Sequence, residues 1–164
     1  MRLSRWIFSG SIACVAVLGV SAGMVGMSSA APGDEPAQPP LAVEDFSYPN
    51  ADKIFTEEGI RLKSGDGHIT LAKCDSESGL LEVWTRSRPR DRYCFKVTGD
   101  RGYLSLDLPA VFGVKGNSYD TEVNMTVAGT TRSFDIEKNI WTPVGETNDD
   151  QGRPHTLVEI ISVK

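Results

Sequence analysis

The sequence has few of the side chains that enzymes use for chemistry. It contains two histidines, His68 and His155, and three cysteines among 164 residues. Nucleophilic hydrolases hold a serine or cysteine beside a histidine, and zinc sites cluster histidine and cysteine ligands. Neither a GxSxG turn nor an HExxH helix occurs. No spacing of carboxylates singles out a glycosidase pair. These absences disfavour zinc and hydrolytic chemistry, and we expect no cofactor.

Positive charge is also scarce in this chain. There are 17 lysines and arginines against 22 acids, which gives a formal net charge of −5. Proteins that bind nucleic acid or anionic membranes broadly need many positive charges to release counterions. We therefore expect neither nucleic acid nor a membrane surface as a partner of the mature chain.

The N-terminus has the pattern of an export signal. Arg2 and Arg5 precede an uncharged run over 6–27, which ends in small residues at 28–31. This predicts a signal peptide over 1–30 that is cleaved after Ala30, and hence a secreted, extracellular protein. An uncleaved anchor is the alternative, because the run is long enough to span a bilayer. Cleavage removes two arginines and no acid, leaving 15 basic and 22 acidic residues and a net charge of −7.

The next segment separates the export signal from the folded part. Residues 31–45 hold four prolines and four acids with few large apolar side chains. Such a composition is typical of a linker. The remaining residues, 46–164, are predicted to form one domain, because a chain of this length buries enough surface for its own core.

Two cysteines remain after cleavage, Cys74 and Cys94, and an even pair in an exported chain predicts a disulfide. A flat meander of the strands 68–74, 80–86 and 92–98 would separate the two cysteines by roughly 20 Å. A disulfide needs Cα atoms within about 7 Å. We therefore expect the middle strand to cross between two layers.

Alternation of apolar and polar residues predicts strands along most of the domain. It is clear over 103–108 and 121–127, and a turn at 128–130 leads to a further strand at 131–136. The segment 155–163 is apolar at both parities, which is typical of a strand covered on both faces.

The first part of the domain has a helix and a hairpin signal. Residues 48–59 predict one short helix, with Asn50 as cap, Ile54 and Phe55 docking, and Gly59 as its end. Residues 60–63 and 68–74 flank a glycine-containing loop, which predicts a hairpin with His68 on the surface. The fold class is therefore all-β: a two-layer β-sandwich or small partly open barrel with one short N-terminal helix.

The most unusual segment is an arginine run within 84–93. Its members are Arg86, Arg88, Arg90 and Arg92, flanked by Trp84 and Tyr93. Strand spacing would place alternate residues on one side, so that the guanidinium groups form a donor surface for phosphate or carboxylate groups. The two aromatic rings would add stacking against sugars. The alternative interpretation is a soluble hairpin tip whose arginines are paired by Asp91 and other acids.

An acidic loop at 146–152 offers the oxygen ligands that calcium prefers. Its weak candidates are Glu146, Asn148, Asp149 and Asp150. The ligand order of an EF-hand is missing, so a solvated turn without metal is the favoured interpretation.

Two segments, "YPNADKIFTEEGIRLKSGDGHITLAKC" at 48–74 and "YCFKVTGDRGYLSLDLPAVFGV" at 93–114, resemble small secreted proteins of actinobacterial type. This resemblance implies export and a single β domain, and it implies no catalytic residues. We expect an exported, non-enzymatic binding or cell-envelope-associated module whose partner is an anionic envelope polymer or glycan. The alternative is an extracellular hydrolase of unrecognised type.

Overall fold

The computed structural model describes residues 46–164. The predicted signal peptide over 1–30 and the predicted linker over 31–45 lie outside the described residues. Within the described part, no helix is long and apolar enough to cross a membrane.

One helix precedes the strands. It is α1 (Ala51–Glu58), and the strands are β1 (Arg61–Gly65), β2 (Ile69–Ala72), β3 (Leu81–Thr85), β4 (Arg92–Val97), β5 (Arg101–Lys115), β6 (Asp120–Val127), β7 (Thr130–Ile136), β8 (Trp141–Pro143) and β9 (His155–Val163). A 3₁₀ turn, Gly145–Asn148, follows β8. The strands form one open antiparallel sheet in the order β2-β4-β3-β5-β9-β6-β7, with β1 and β8 also paired to β5. The predicted all-β fold with one short N-terminal helix is confirmed.

The long strand β5 organises this sheet. Its first half pairs with β1 on one edge and β9 on the other, whereas its last residues pair with β3 and β8. The strand is irregular at Pro109 and Ala110, and Ala110 has a φ of 53°. The Thr85 hydroxyl donates to the carbonyl oxygens of Pro109 and Ala110, at 2.6 and 3.2 Å. This irregularity lets one strand serve two sets of neighbours.

The sheet curls around a single core. Gly102, at the start of β5, contacts Ile69 of β2, although β4 and β3 lie between β2 and β5 in the sheet. The three leucines of 103–108 are fully buried, as their spacing predicts. Val123 and Met125 are buried as well, on the predicted face of β6. Each such side chain contributes about 1.5–3 kcal/mol on burial.

The predicted hairpin over 121–136 is confirmed. Strands β6 and β7 pair antiparallel, with Val127 opposite Thr130. The two turn residues, Ala128 and Gly129, have φ of 48° and 78°. Two positive φ values in a two-residue loop match the twist of the flanking strands.

The predicted hairpin between 60–63 and 68–74 is wrong. Strand β1 pairs with β5, where Leu62 lies opposite Leu106, and β2 pairs with β4. The loop glycines permit a turn of the chain, but they do not select the partner strand. Leu62 of β1 instead joins the core beside Leu106 of β5.

The strand order explains the disulfide in a way that the sequence did not predict. Strand β4 lies between β2 and β3, and Ala72 is the partner of Cys94. Cys74 therefore follows β2 close to Cys94, and the two Cα atoms are 5.0 Å apart in the disulfide. The predicted bond is confirmed, whereas the predicted order, with 80–86 as the middle strand crossing between layers, is wrong.

The helix ends as predicted but docks with one residue only. Gly59 has a φ of 77°, and its N–H donates to the Phe55 carbonyl at 3.0 Å. The Asn50 side chain makes no capping hydrogen bond. Ile54 packs against the core, while Phe55 is 43% exposed with the Arg61 guanidinium 4.1 Å from its ring centre.

Strand β9 also differs from its prediction. It lies between β5 and β6, and its inward side chains, including His155 and Leu157, are buried. Its outward positions, such as Val158, are half-buried. The predicted coverage of both faces is therefore wrong.

Candidate binding groove beside the arginine loop

The arginine run forms the tip of the hairpin between β3 and β4. The two strands pair up to Trp84 opposite Arg92, and residues 86–91, which we call the arginine loop, connect them. Three of the four arginines lie in this loop, which has no strand geometry, and Arg92 begins β4. Strand spacing therefore does not bring the four arginines onto one side, and their side chains point in different directions.

Arg86 turns towards the 3₁₀ turn. Its Nε donates to the Glu146 carboxylate, and its guanidinium carbon lies 4.7 Å from the centre of the Phe112 ring. An acid and an aromatic ring thus hold this guanidinium from two sides, although the Arg86 side chain remains 62% exposed.

Arg90 and Arg92 point to the side of α1 and β2. Arg90 Nε is 3.5 Å from a Glu58 carboxylate oxygen. Arg92 donates to Glu82 at 3.2 Å and to Asp75 at 3.4 Å. Its guanidinium also lies 5.4 Å from the Trp84 ring centre.

Arg88 is the exception among the four. Its side chain is exposed at the tip of the loop. Within residues 46–164 no ion pair or hydrogen bond holds its guanidinium. The arginine run therefore contains one unneutralised cation and three that are paired with acids.

A groove of about 870 Å³ opens beside the loop. Helix α1, the segment after β2 and the arginine loop form its walls, and both cysteines of the disulfide line it. The charged residues of its lining are Lys73, Arg90 and Arg92 and the acids Glu58, Asp75 and Asp91. Of the predicted site residues, Arg90, Arg92 and Tyr93 are thus brought together here.

The ion pairs in the groove are weakly held. The Asp75 side chain is 96% exposed, and the Arg90 side chain is 53% exposed. Exposed pairs of this kind contribute only about 0–1 kcal/mol, because water and salt screen them. An anion from solution can therefore replace Glu58 or Asp75 as the partner of these arginines at little cost.

Neither aromatic member of the predicted site presents an exposed ring to the groove. Tyr93 is 2% exposed in the core, and its hydroxyl donates to the Glu58 carbonyl oxygen. Burial raises the pKa of Tyr93, an effect that the charge of Arg90 partly offsets. Its ring faces no solvent. Trp84 is half-buried on the outer face of β3 beneath Arg92.

Two carboxylates of the acidic loop, those of Glu146 and Asp149, are paired with arginines of the domain. Asp149 accepts three hydrogen bonds from Arg153, from its backbone N–H, Nε and Nη2. The Asn148 amide donates to the Pro143 carbonyl at 2.6 Å, Glu146 pairs with Arg86, and Asp150 is exposed. In the described part of the chain, no three His, Cys, Asp or Glu side chains lie together as a metal site.

We expect added calcium to leave stability unchanged, because Asn148, Asp149 and Asp150 are not gathered around one point. Thermal melts of the mature protein with calcium and with a chelator measure this directly. A rise of many degrees with calcium that is lost in a D149N/D150N variant would contradict the expectation.

Hydrogen bonds from Arg153 hold the pKa of Asp149 well below its usual range. A carboxyl with a depressed folded pKa stabilises above its unfolded value, near 3.9, and loses that contribution as pH falls towards the folded value. Asp149→Asn should therefore lower the free energy of unfolding at pH 7. The difference between the variant and the wild type should become smaller as pH falls below about 4. Urea unfolding at both pH values tests this, and a constant gap would contradict it.

The two histidines do not form catalytic pairs. His68 is exposed, as predicted, and its ring Nδ1 lies 3.5 Å from the Thr98 hydroxyl. His155 is fully buried, with Nδ1 2.9 Å from the Arg153 carbonyl oxygen. Neither histidine lines the groove or the 650 Å³ cavity around 46–50.

Three charged groove residues, Glu58, Lys73 and Asp75, were not predicted from the sequence. Lys73 precedes a predicted disulfide cysteine, and Glu58 ends the predicted helix. The adjacent disulfide and helix end constrain the backbone at these positions, but they do not fix where the side chains point. Their convergence depends on long-range strand pairing. A scan against protein-family models finds no family that matches this chain, and a search of curated proteins finds no similar sequence.

Proposed function

We propose that this protein is an exported, non-enzymatic binding module that holds an anionic cell-envelope polymer at the groove beside the arginine loop. The observation that carries the proposal is the state of three guanidinium groups at this place. Arg88 has no acid partner in the described residues, and Arg90 has a long pair with Glu58. Arg92 is held by Glu82, but its second pair, with the exposed Asp75, is long. The predicted signal peptide and the disulfide support export.

The charge balance predicts the character of this binding. Three cations and three acids line the groove, and Arg88 adds one positive charge beside it. The Debye length is about 8 Å in physiological salt, so salt screens the acids that lie further away on the domain. The negative charge of the rest of the domain therefore weakens this local positive field only partly. Because each exposed contact is weak, several must form together, and binding should decrease as salt rises.

The hydrolase alternative has less support. A histidine base is missing from both cavities, as described above. Three carboxylates, those of Glu58, Asp75 and Asp91, do line the groove. Prolonged incubation with a bound polysaccharide tests the alternative, because chain fragments released by the wild type and not by an E58Q/D75N/D91N variant would make the protein a hydrolase.

We expect R88Q/R90Q to bind isolated cell-wall material about fivefold more weakly than wild type at low salt. Two charge contacts are lost, and at roughly 0.5 kcal/mol each they correspond to about that factor. The measurement is retention on washed cell walls across a salt series.

The matched control is R101Q/K164Q, which changes the net charge equally. Both control residues are exposed, and Arg101 follows the far end of β4 from the arginine loop. Equal binding by wild type and R88Q/R90Q, or equal losses in the two double variants, would overturn the proposal.

A further inference from the structure

A second feature lies on the outer face of the sheet, at Trp141 of β8. Its indole is 43% exposed. A Cβ placed on Gly113 would lie only 2.1 Å from Cζ2 of this indole. The ring therefore occupies the space of the missing Gly113 side chain and packs against the β5 backbone, while a large part of it faces solvent.

The strand register connects this indole with the arginine loop. Gly113 lies opposite Trp84 of β3, which in turn lies opposite Arg92 of β4. On its other edge Gly113 lies opposite Pro143, and Trp141 lies opposite Lys115. Paired residues of an antiparallel sheet share a face, so a row of outward positions runs from Arg92 to β8. Three strand spacings make this row about 14 Å long.

Two arginines of the run are held in fixed positions along this face. Arg92 lies over Trp84 and donates to Glu82. Arg86 lies over Phe112, whose ring centre is 6.4 Å from that of Trp141. A guanidinium already ordered by an acid and a ring loses less conformational entropy when it binds a ligand. We call Trp84, Phe112, Trp141, Arg86 and Arg92 the outer patch.

We propose that Trp141 is a stacking site for a sugar ring, and that the polymer bound at the groove is therefore an acidic polysaccharide. This inference rests on the proposed function, because Arg92 belongs to both the groove and the outer patch. A pyranose ring has an apolar C–H face that fits an indole, and a rim of hydroxyls and acid groups that fits fixed guanidinium donors. A polyanion without rings gains nothing from the indole.

The test compares two probes that differ in this respect, polygalacturonate and inorganic polyphosphate. Both are anionic polymers, and only the first has sugar rings. We expect W141A to bind polygalacturonate up to about tenfold more weakly, the factor that one lost aromatic contact gives, and polyphosphate as tightly as wild type. W141F should recover part of the lost affinity, because a smaller ring still stacks.

Two further variants separate stacking from general surface effects. F55A removes an aromatic side chain of the same 43% exposure on α1, away from the outer patch, and should bind both probes normally. G113A keeps Trp141 but displaces its indole from β5, because the added Cβ overlaps the ring. We expect it to weaken polygalacturonate binding and to shift the tryptophan fluorescence maximum.

The other possible results show whether the stacking site or the proposed groove function is wrong. Unchanged polygalacturonate binding by W141A, equal losses on both probes, or wild-type binding to polyphosphate alone would overturn the stacking site and leave the proposed function standing. A concentration-dependent dimer that W141A dissociates would also overturn it. If W141A weakens polygalacturonate binding while R88Q/R90Q weakens neither probe, the proposed groove function fails and Trp141 stacking stands.

Discussion

Removal of the Cys74–Cys94 disulfide is expected to lower the free energy of unfolding by about 3 kcal/mol. The bond joins residues 20 apart in sequence, and it closes a loop that the unfolded chain would otherwise explore freely. It also fixes the end of β2 against β4, and both cysteines line the groove. For a domain of this size, the corresponding decrease in melting temperature is about 10 °C.

The measurement is urea unfolding of a C74A/C94A variant beside the wild type. A loss of less than 1 kcal/mol would contradict this expectation, because opening a loop of this length should give the unfolded chain more entropy than that. Groove binding should decrease in this variant even at temperatures where it is fully folded, because Lys73 and Asp75 flank Cys74. Unchanged binding would mean that the groove does not depend on the disulfide.

Gly145→Ala is expected to cost about 2–4 kcal/mol of stability. Gly145 has a φ of 59°, which an alanine adopts at a cost of about 1–2 kcal/mol. Its added Cβ would also lie within van der Waals overlap of the Val111 carbonyl oxygen and 3.0 Å from Cε of Met125. Backbone cannot move aside as easily as a side chain, so the 3₁₀ turn must shift, and Glu146 with it.

Gly152→Ala is the matched control for this change. Gly152 has a φ of 62°, and no atom lies within 4 Å of its added Cβ. It should therefore cost only the backbone contribution of about 1–2 kcal/mol. Thermal and urea melts of both variants decide the matter, and equal losses would contradict the packing of Gly145 against the core.

Local patterns predicted the elements of this fold well. The alternation at 103–108 and 121–127 gives buried leucines, valines and a methionine on one face, because successive strand residues point to opposite faces. The turn at 128–129 was predictable because a two-residue hairpin loop needs positive φ, which glycine adopts easily. Gly59 ended the helix for a similar reason.

Partner choice was not predictable in the same way. β1 and β2 both alternate, and nothing within either strand distinguishes pairing with each other from pairing with β5 and β4. That choice depends on which arrangement buries Leu62 and Ile69 beside their partners Leu106 and Val97, which lie 44 and 28 positions further along the chain. The disulfide alone does not determine the strand order. It is satisfied by a flat sheet once β4 lies between β2 and β3, an order that the sequence analysis did not consider.

The arginine run shows the same limit at the site. The sequence identified the four arginines, but the residues that neutralise them lie elsewhere: Glu58 for Arg90, Glu82 and Asp75 for Arg92, and Glu146 for Arg86. Tyr93 was expected beside a sugar and lies in the core. The exposed ring of the outer patch belongs to Trp141, which is separated from the run by almost fifty residues.

The most direct test of the binding account is a ¹⁵N-HSQC titration of the mature protein with polygalacturonate at low salt. The account predicts that the shifted amides cluster at 73–76 and 86–92, with a second group around Gly113 and Trp141, and that added salt reverses the shifts. Shifts confined to another surface, such as β7 or the cavity around 46–50, or no shifts at any concentration, would contradict it.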